Sequence, residues 1–287
     1  MARVSIYTTH YNRPEFIALQ YFQIKKHCLE DFEYIVINNA IDQEIKKQIH
    51  FLCLSLNLRE IDCIHSMENN RAVMCSHDHI MCLEYIYKEF ISKDTSIARA
   101  VIDNDVVPFR PFSFISLLKD KQMAGMFLEA YIPYCASIFT VFGKEIDLHN
   151  FEYNGKFGDS GAGTGILIRD KGYSVNWVNH TAPLRNPESS YIFKNKSHES
   201  LPYNDDWGIQ FMADDFIHFY RGTGWDNGDP LFYENKYTFF IHFINNFELY
   251  NPVLDDNVNY PKAHMDQWMW KDNYNLYKYE KLSSSTN

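Results

Sequence analysis

The first 105 residues alternate between two kinds of segment, and that alternation constrains the fold more than any other feature. "RVSIYTT" (3–9), "FEYIVINN" (32–39), "EIDCIH" (60–65) and "ARAVIDND" (98–105) are short runs rich in β-branched and aromatic residues, and they read as strands. Between them lie stretches with apolar residues at helical spacing. "RPEFIALQYFQIKKH" (13–27) places Pro14 in its first turn and Phe16, Leu19 and Phe22 along one side. "QEIKKQIHFLCLSL" (43–56) and "SHDHIMCLEYIYKEFI" (76–91) continue the pattern. A strand and a helix every 30 residues or so is the length of a βαβ unit, which predicts an α/β fold with a mostly parallel sheet.

No linker or low-complexity stretch divides this part. Beyond residue 120 the pattern becomes mixed. "MAGMFL" (123–128), "TGILIR" (164–169), "SVNWVN" (174–179) and "DFIHFY" (215–220) read as strands, and "FYENKYTFFIHFINNFELY" (232–250) as a last helix before a polar, aromatic-rich tail. The expected organisation is a nucleotide-type half over 1–120 and a mixed half over 121–287 that binds a second substrate, within one continuous domain.

The fourth strand ends in an unusual way. In "ARAVIDNDVVPFRPF" (98–112) the apolar run Ala100, Val101, Ile102 delivers Asp103, Asn104 and Asp105 to its own tip. Strand side chains alternate, so Asp103 and Asp105 fall on one side. Two converging carboxylates repel unless a cation lies near them. Hard oxygen ligands suit Mg²⁺ or Mn²⁺, which bridge to substrate phosphates. Open α/β sheets bind ligands beyond the carboxyl ends of their strands, where this pair is expected.

This arrangement resembles the GT-A class of nucleotide-sugar-dependent glycosyltransferases, whose D-x-D motif follows a βαβαβ nucleotide-binding half. "TTHYNRPEF" resembles the first-strand nucleotide loop, "IVINNA" the second-strand loop, and "ENNRAVMCSHDHIMCLEYIY" the segment before D-x-D. "VIDNDVVPFRPF" is the most specific match; "FGDSGAG" and "FIHFYRGTGW" fall at acceptor-side and metal-side positions. The implied fold is a Rossmann-like, mostly parallel half joined to a mixed acceptor-binding half.

The resemblance also implies roles for individual residues. Thr8, His10, Tyr11, Asn12 and Arg13 would surround the base, ribose or diphosphate, with Asn39, Arg71, Asp103, Asn104 and Arg221 as further donor contacts. Guanidinium groups match paired phosphate oxygens, which suits Arg13 and Arg221. Asp103, Asp105 and a late His218 would hold the metal. Asp159 would take the proton from the attacking acceptor hydroxyl, giving inversion at the anomeric carbon, and glycines around it would let backbone approach the acceptor. Trp207 and Asp206, in "YNDDWGIQF" (203–211), would line the acceptor groove. One departure stands out. The family often carries an Asp at the second strand's end, where this chain has Asn38 and Asn39; an amide oxygen still accepts one hydrogen bond.

Other features bound the alternatives. A formal charge of −10 with no basic stripe argues against nucleic-acid binding. The six cysteines form no C-x-x-C pair and are expected as reduced, buried thiols rather than disulfides or zinc ligands. "MARVSIYTTHYNRPEF" lacks a signal-peptide core, and no apolar run approaches membrane-spanning length, so a soluble cytoplasmic protein is expected. His77 and His79 are two apart on a helix and face different ways, so joint metal coordination is not expected; capping or core roles are. "GKFGDSGAGTGILI" (155–168) matches no phosphate-cradling pattern. Two rival functions stand beside sugar transfer. A nucleotidyltransferase acting on a sugar phosphate would carry a glycine- and lysine-rich first loop, which "TTHYNRPEF" is not. A non-catalytic sugar- or nucleotide-binding module would hydrolyse no donor.

Overall fold

The structure is a computed structural model that describes residues 4–63, 75–129, 133–148, 161–178, 180, 209–219, 237, 238, 240, 241, 244 and 245. Its centre is a seven-stranded sheet. The elements in chain order are β1 (Val4–His10), α1 (Glu15–His27), β2 (Phe32–Asn38), α2 (Gln43–Leu56), β3 (Arg59–Asp62), α3 (Cys75–Glu89), a short 3₁₀ turn (Ile91–Lys93) and β4 (Ala98–Asp103). There follow β5 (Val106–Pro108), α4 (Phe114–Leu118), β6 (Met123–Glu129), β7 (Pro133–Gly143), α5 (Ala162–Lys171), β8 (Val175–Val178), β9 (Ile209–Met212) and β10 (Phe216–Phe219). The six described positions between 237 and 245 are helical, as the sequence predicts for 232–250.

Strand order in the large sheet is β3-β2-β1-β4-β7-β6-β8. β3, β2, β1 and β4 are mutually parallel, β7 pairs antiparallel with both β4 and β6, and β8 is parallel to β6. The α/β class and the shift from a parallel to a mixed half are therefore as expected. The sheet runs unbroken past residue 120, because β4 pairs directly with β7.

Both faces of the sheet are covered, which explains why its strands read as near-continuous apolar runs. Alternate residues go to opposite faces. Val4, Ile6, Tyr34, Val36, Ala100 and Ile102 pack with Ile17 and Ile24 of α1 and Ile49 and Cys53 of α2. Tyr7, Ile35, Ile37 and Val101 pack with Cys82, Leu83 and Ile86 of α3 and Leu167 of α5. Because β2 and β3 extend the sheet one way from β1 and β4 lies on its other side, the chain reverses direction between β1 and β4. Open α/β sheets take ligands at such a topological switch point.

Local chemistry sets several boundaries. The Asp42 side chain accepts from the backbone of Glu44 at 2.8 Å and Ile45 at 3.1 Å, so it caps α2, and Asn57 in the left-handed region ends it. At the sheet's amino edge the buried Arg99 donates to the carbonyls of Ile91, Gly143 and Ile146, closing that end with protein groups.

One sequence expectation is wrong. "TGILIR" lies in helix α5, not in a strand. Three consecutive apolar residues carry no period, so packing decides, and here the helix lies against β7. Gly161 makes that contact possible: its φ is +108°, and an added Cβ would stand 2.5 Å from the Cys135 carbonyl and 2.7 Å from the Ser137 nitrogen. The backbone approach that this glycine permits is to β7. Strands β5, β7 and β9 and helix α4 had no counterpart in the sequence reading.

Candidate functional site

The switch-point crevice is built from four carboxyl ends. Strands β1 and β4 run in register so that Thr9 pairs with Asp103, and β1 and β2 so that His10 pairs with Asn38. The tip of β1, the tip of β2 and the Asp103–Asn104–Asp105 turn are therefore immediate neighbours. The fourth contributor comes from far along the chain. β10 lies antiparallel to β5, opposing His218 to Val106, and the Phe219 N–H donates to the Asp105 carbonyl at 2.9 Å.

This ladder brings His218 to the acidic turn. His218 Nε2 stands 3.4 Å from Asp105 Oδ1, with both side chains buried, 4% and 6% exposed respectively. Two neighbouring ligands held about 2.1 Å from one Mg²⁺ are separated by about 3 Å. The pair's spacing and its carboxylate–imidazole donor set both fit a small divalent cation. Asp103 is more open, and its Oδ1 lies 3.8 Å from His79 Nε2 of α3. Among the described residues no three His, Cys, Asp or Glu side chains gather as a ready-made ligand set. Mg²⁺-type sites are commonly of this sparse kind, with one or two carboxylates and the rest supplied by water and substrate phosphates.

The tip of β1 carries the first group of expected donor contacts. His10 is fully buried, and burial holds its imidazole down to about 3, so the ring is neutral at ordinary pH. Its Nε2 is 3.2 Å from the Thr8 hydroxyl, which in turn donates to Gln20 Oε1 at 2.9 Å. Thr8 thus sits inside the fold beneath His10. Tyr11, Asn12 and Arg13 form the half-buried loop into α1, where Arg13 is 3.7 Å from Glu15. Asn38 is occupied by structure: it donates to the Lys46 carbonyl at 3.0 Å and to Glu60 at 2.7 Å, and accepts from the Ala40 N–H. Asn39, buried beside it, donates its N–H to the His10 carbonyl. Asn104 is buried within the acidic turn.

Thus Thr8, His10, Asn39, Asp103, Asn104, Asp105 and His218 converge on one edge of the molecule, with Tyr11, Asn12 and Arg13 in the loop beside them. Arg71, Asp159, Asp206, Trp207 and Arg221 lie outside the described residues. A separate open cleft of 460 Å³ borders α2 and β3, lined in part by Lys46, His50, Glu60 and Asp62. Its charges are satisfied internally, Lys46 to Asp62 at 2.6 Å and His50 to Glu60 at 2.7 Å.

Two residues of the crevice escaped the sequence reading. His79, expected in a capping or core role, stands with its Nε2 3.8 Å from Asp103 Oδ1. With Cys82, Leu83, Ile86 and Tyr87 it follows the i, i+3, i+4, i+7, i+8 stripe, so its inward direction was there to be read. Gln20 is a polar residue on the buried stripe of α1 formed by Phe16, Ile17, Ile24 and His27. A polar group on such a stripe signals a buried hydrogen-bonding role.

No protein-family model and no curated protein matches the chain. Among solved structures it is similar to the mannosyltransferase PcManGT from Pyrobaculum calidifontis, determined with GDP-Man and Mn²⁺, at 14% identity and a TM-score of 0.42. That match covers 61% of this chain and 54% of the other, so it spans about half of the mannosyltransferase. An active-site mutant of LgtC is similar at 13% identity and a TM-score of 0.41, over 69% of this chain and 80% of that one. The bifunctional glycosyltransferase WbbM in its apo form is similar at 10% identity and a TM-score of 0.39, over 61% and 38%. Among the described residues no helix is long and apolar enough to cross a membrane.

Proposed function

We propose that this chain is a metal-dependent glycosyltransferase, moving a sugar from a nucleoside-diphosphate sugar to a hydroxyl of a glycan or other acceptor, with inversion. The observation that carries the reading is the meeting of Asp105 and His218, 3.4 Å apart at the switch point of an α/β sheet. A buried carboxylate and imidazole at that place suit a divalent ion and a phosphorylated ligand together.

Asp105 and His218, with Asp103 at the more open side, would hold Mn²⁺ or Mg²⁺. When bound, the ion supplies positive charge against the negative charge that develops on the leaving diphosphate. The chain's own groups do the rest. The β1 tip and its loop, from His10 to Arg13, would grip the nucleotide with Asn39 and Asn104, while Arg71 and Arg221 would pair with phosphate oxygens. Asp159 would accept the proton of the acceptor hydroxyl as that oxygen attacks the anomeric carbon and the bond to the diphosphate breaks. Trp207 would stack on the acceptor sugar and Asp206 would hydrogen-bond to it. Residues 1–120 would serve the donor and 121–287 the acceptor.

The test is donor turnover across a panel of nucleotide sugars, with and without Mn²⁺. The reading predicts slow, Mn²⁺-dependent hydrolysis of at least one donor, and a large fall in turnover at unchanged donor affinity in Asp159→Asn. Absence of both hydrolysis and transfer across the panel, in a folded chain, would contradict it.

A further inference from the structure

Gln20 is fully buried on α1, and its carboxamide meets four partners. Its oxygen accepts from the Thr8 hydroxyl at 2.9 Å and from the Tyr34 hydroxyl at 2.6 Å. Its nitrogen donates to the carbonyls of Asp103 at 2.7 Å and Val106 at 2.6 Å. A carboxamide has two donor protons and one oxygen with two lone pairs, so all of its capacity is spent. The two carbonyls accept only, which fixes the orientation of the amide. The reversed amide would set oxygen against oxygen twice.

Consequences run in both directions from that amide. Asp103 and Val106 bracket Asn104 and Asp105, so the nitrogen ties together the two ends of the turn that presents the carboxylates. On the other side, Thr8 has one hydroxyl proton and gives it to Gln20. With that proton directed to Gln20, the shorter of the two contacts, Thr8 accepts at the 3.2 Å contact with His10 Nε2, and the neutral ring carries its proton on Nε2. His10 Nδ1 is left as a bare acceptor, buried and without a hydrogen-bond partner among the described residues.

We propose that Gln20 is the positioning residue of this site: one carboxamide clamps the acidic turn and sets His10 as the Nε2–H tautomer, so that whatever meets His10 Nδ1 must bring an N–H or O–H. The inference rests on the reading of the crevice as a metal and donor site, and its parts can be tested apart from that reading.

Three measurements on the full chain decide it. Nitrogen NMR of the histidine side chains should show His10 protonated on Nε2, with Nδ1 unprotonated; a proton on Nδ1 overturns the relay, and this needs no variant. Amide exchange over 104–107 should rise about tenfold in Gln20→Met and stay unchanged in Tyr34→Phe, which loses a bond to the same oxygen but keeps the clamp. Equal exchange in the two variants overturns the clamp. Mn²⁺ affinity should fall about tenfold or more in Gln20→Met and hold within about twofold in Tyr34→Phe. A Gln20→Met chain with loosened exchange and unchanged Mn²⁺ affinity overturns the positioning role. If the unaltered chain takes up no Mn²⁺, the metal reading fails, while the tautomer and exchange results still decide what Gln20 does. Should Gln20→Met not fold, Gln20→Glu, of the same shape, takes its place.

Discussion

Asp105 and His218 come from a strand-tip turn and from a strand far along the chain, and the β5–β10 ladder sets them 3.4 Å apart in a buried position. Neither residue is held there by local sequence. Their approach depends on Val106 opposing His218 and on the Phe219 N–H reaching the Asp105 carbonyl, so the backbone pairing assembles the site.

His218→Ala removes the imidazole and leaves that ladder intact. The chain should fold normally and bind Mn²⁺ about 10–100-fold more weakly, by calorimetric titration, the range expected when a group that supports a metal is lost. Unchanged Mn²⁺ affinity would take His218 out of the site.

Burial of His10 gives folding a pH dependence with a definite sign. The folded ring protonates only near 3, the unfolded ring near 6.5. Between those values the unfolded chain binds one more proton than the folded one, so this group's contribution to stability rises with pH and is lost as pH falls. Its slope is about 1.4 kcal/mol per pH unit inside the window. Denaturant midpoints across the window should therefore show the stability difference between the unaltered chain and His10→Gln changing at that slope. A constant difference would mean that the ring is accessible to protons in the folded state.

Gly161→Ala tests the docking of α5. The new methyl would meet the Cys135 carbonyl at 2.5 Å from a backbone with φ of +108°. Strain and overpacking together should destabilise the chain by about 2 kcal/mol or more, read from the shift in denaturant midpoint. A change within about 0.5 kcal/mol, the ordinary surface value, would show that α5 lies elsewhere.

What was legible in the sequence follows from how locally each feature is determined. Helix α2 was readable to the residue because Asp42 and Asn57, its own neighbours, start and stop it. The parallel strands β1, β2 and β4 announced themselves as apolar runs because both of their faces are covered. "TGILIR" was misread because its helical state is decided by contact with β7, at a glycine whose left-handed backbone the sequence does not declare. Asp103 and Asp105 were conspicuous as charges at the end of an apolar run. Gln20 was less so: its place on an apolar stripe signals a buried hydrogen bond, but its four partners, spread over β1, β2 and the β4–β5 turn, come together only in the fold.

The most direct test of the metal-centred account is the donor affinity of Asp105→Ala beside that of the unaltered chain, titrated with the nucleotide sugar identified by the panel. With Mn²⁺ present, the unaltered chain should bind the donor and Asp105→Ala should lose that metal-dependent binding while unfolding as cooperatively as before. Equal donor affinity of the two chains in Mn²⁺ would contradict the claim that this carboxylate anchors the ion on which the sugar donor is held.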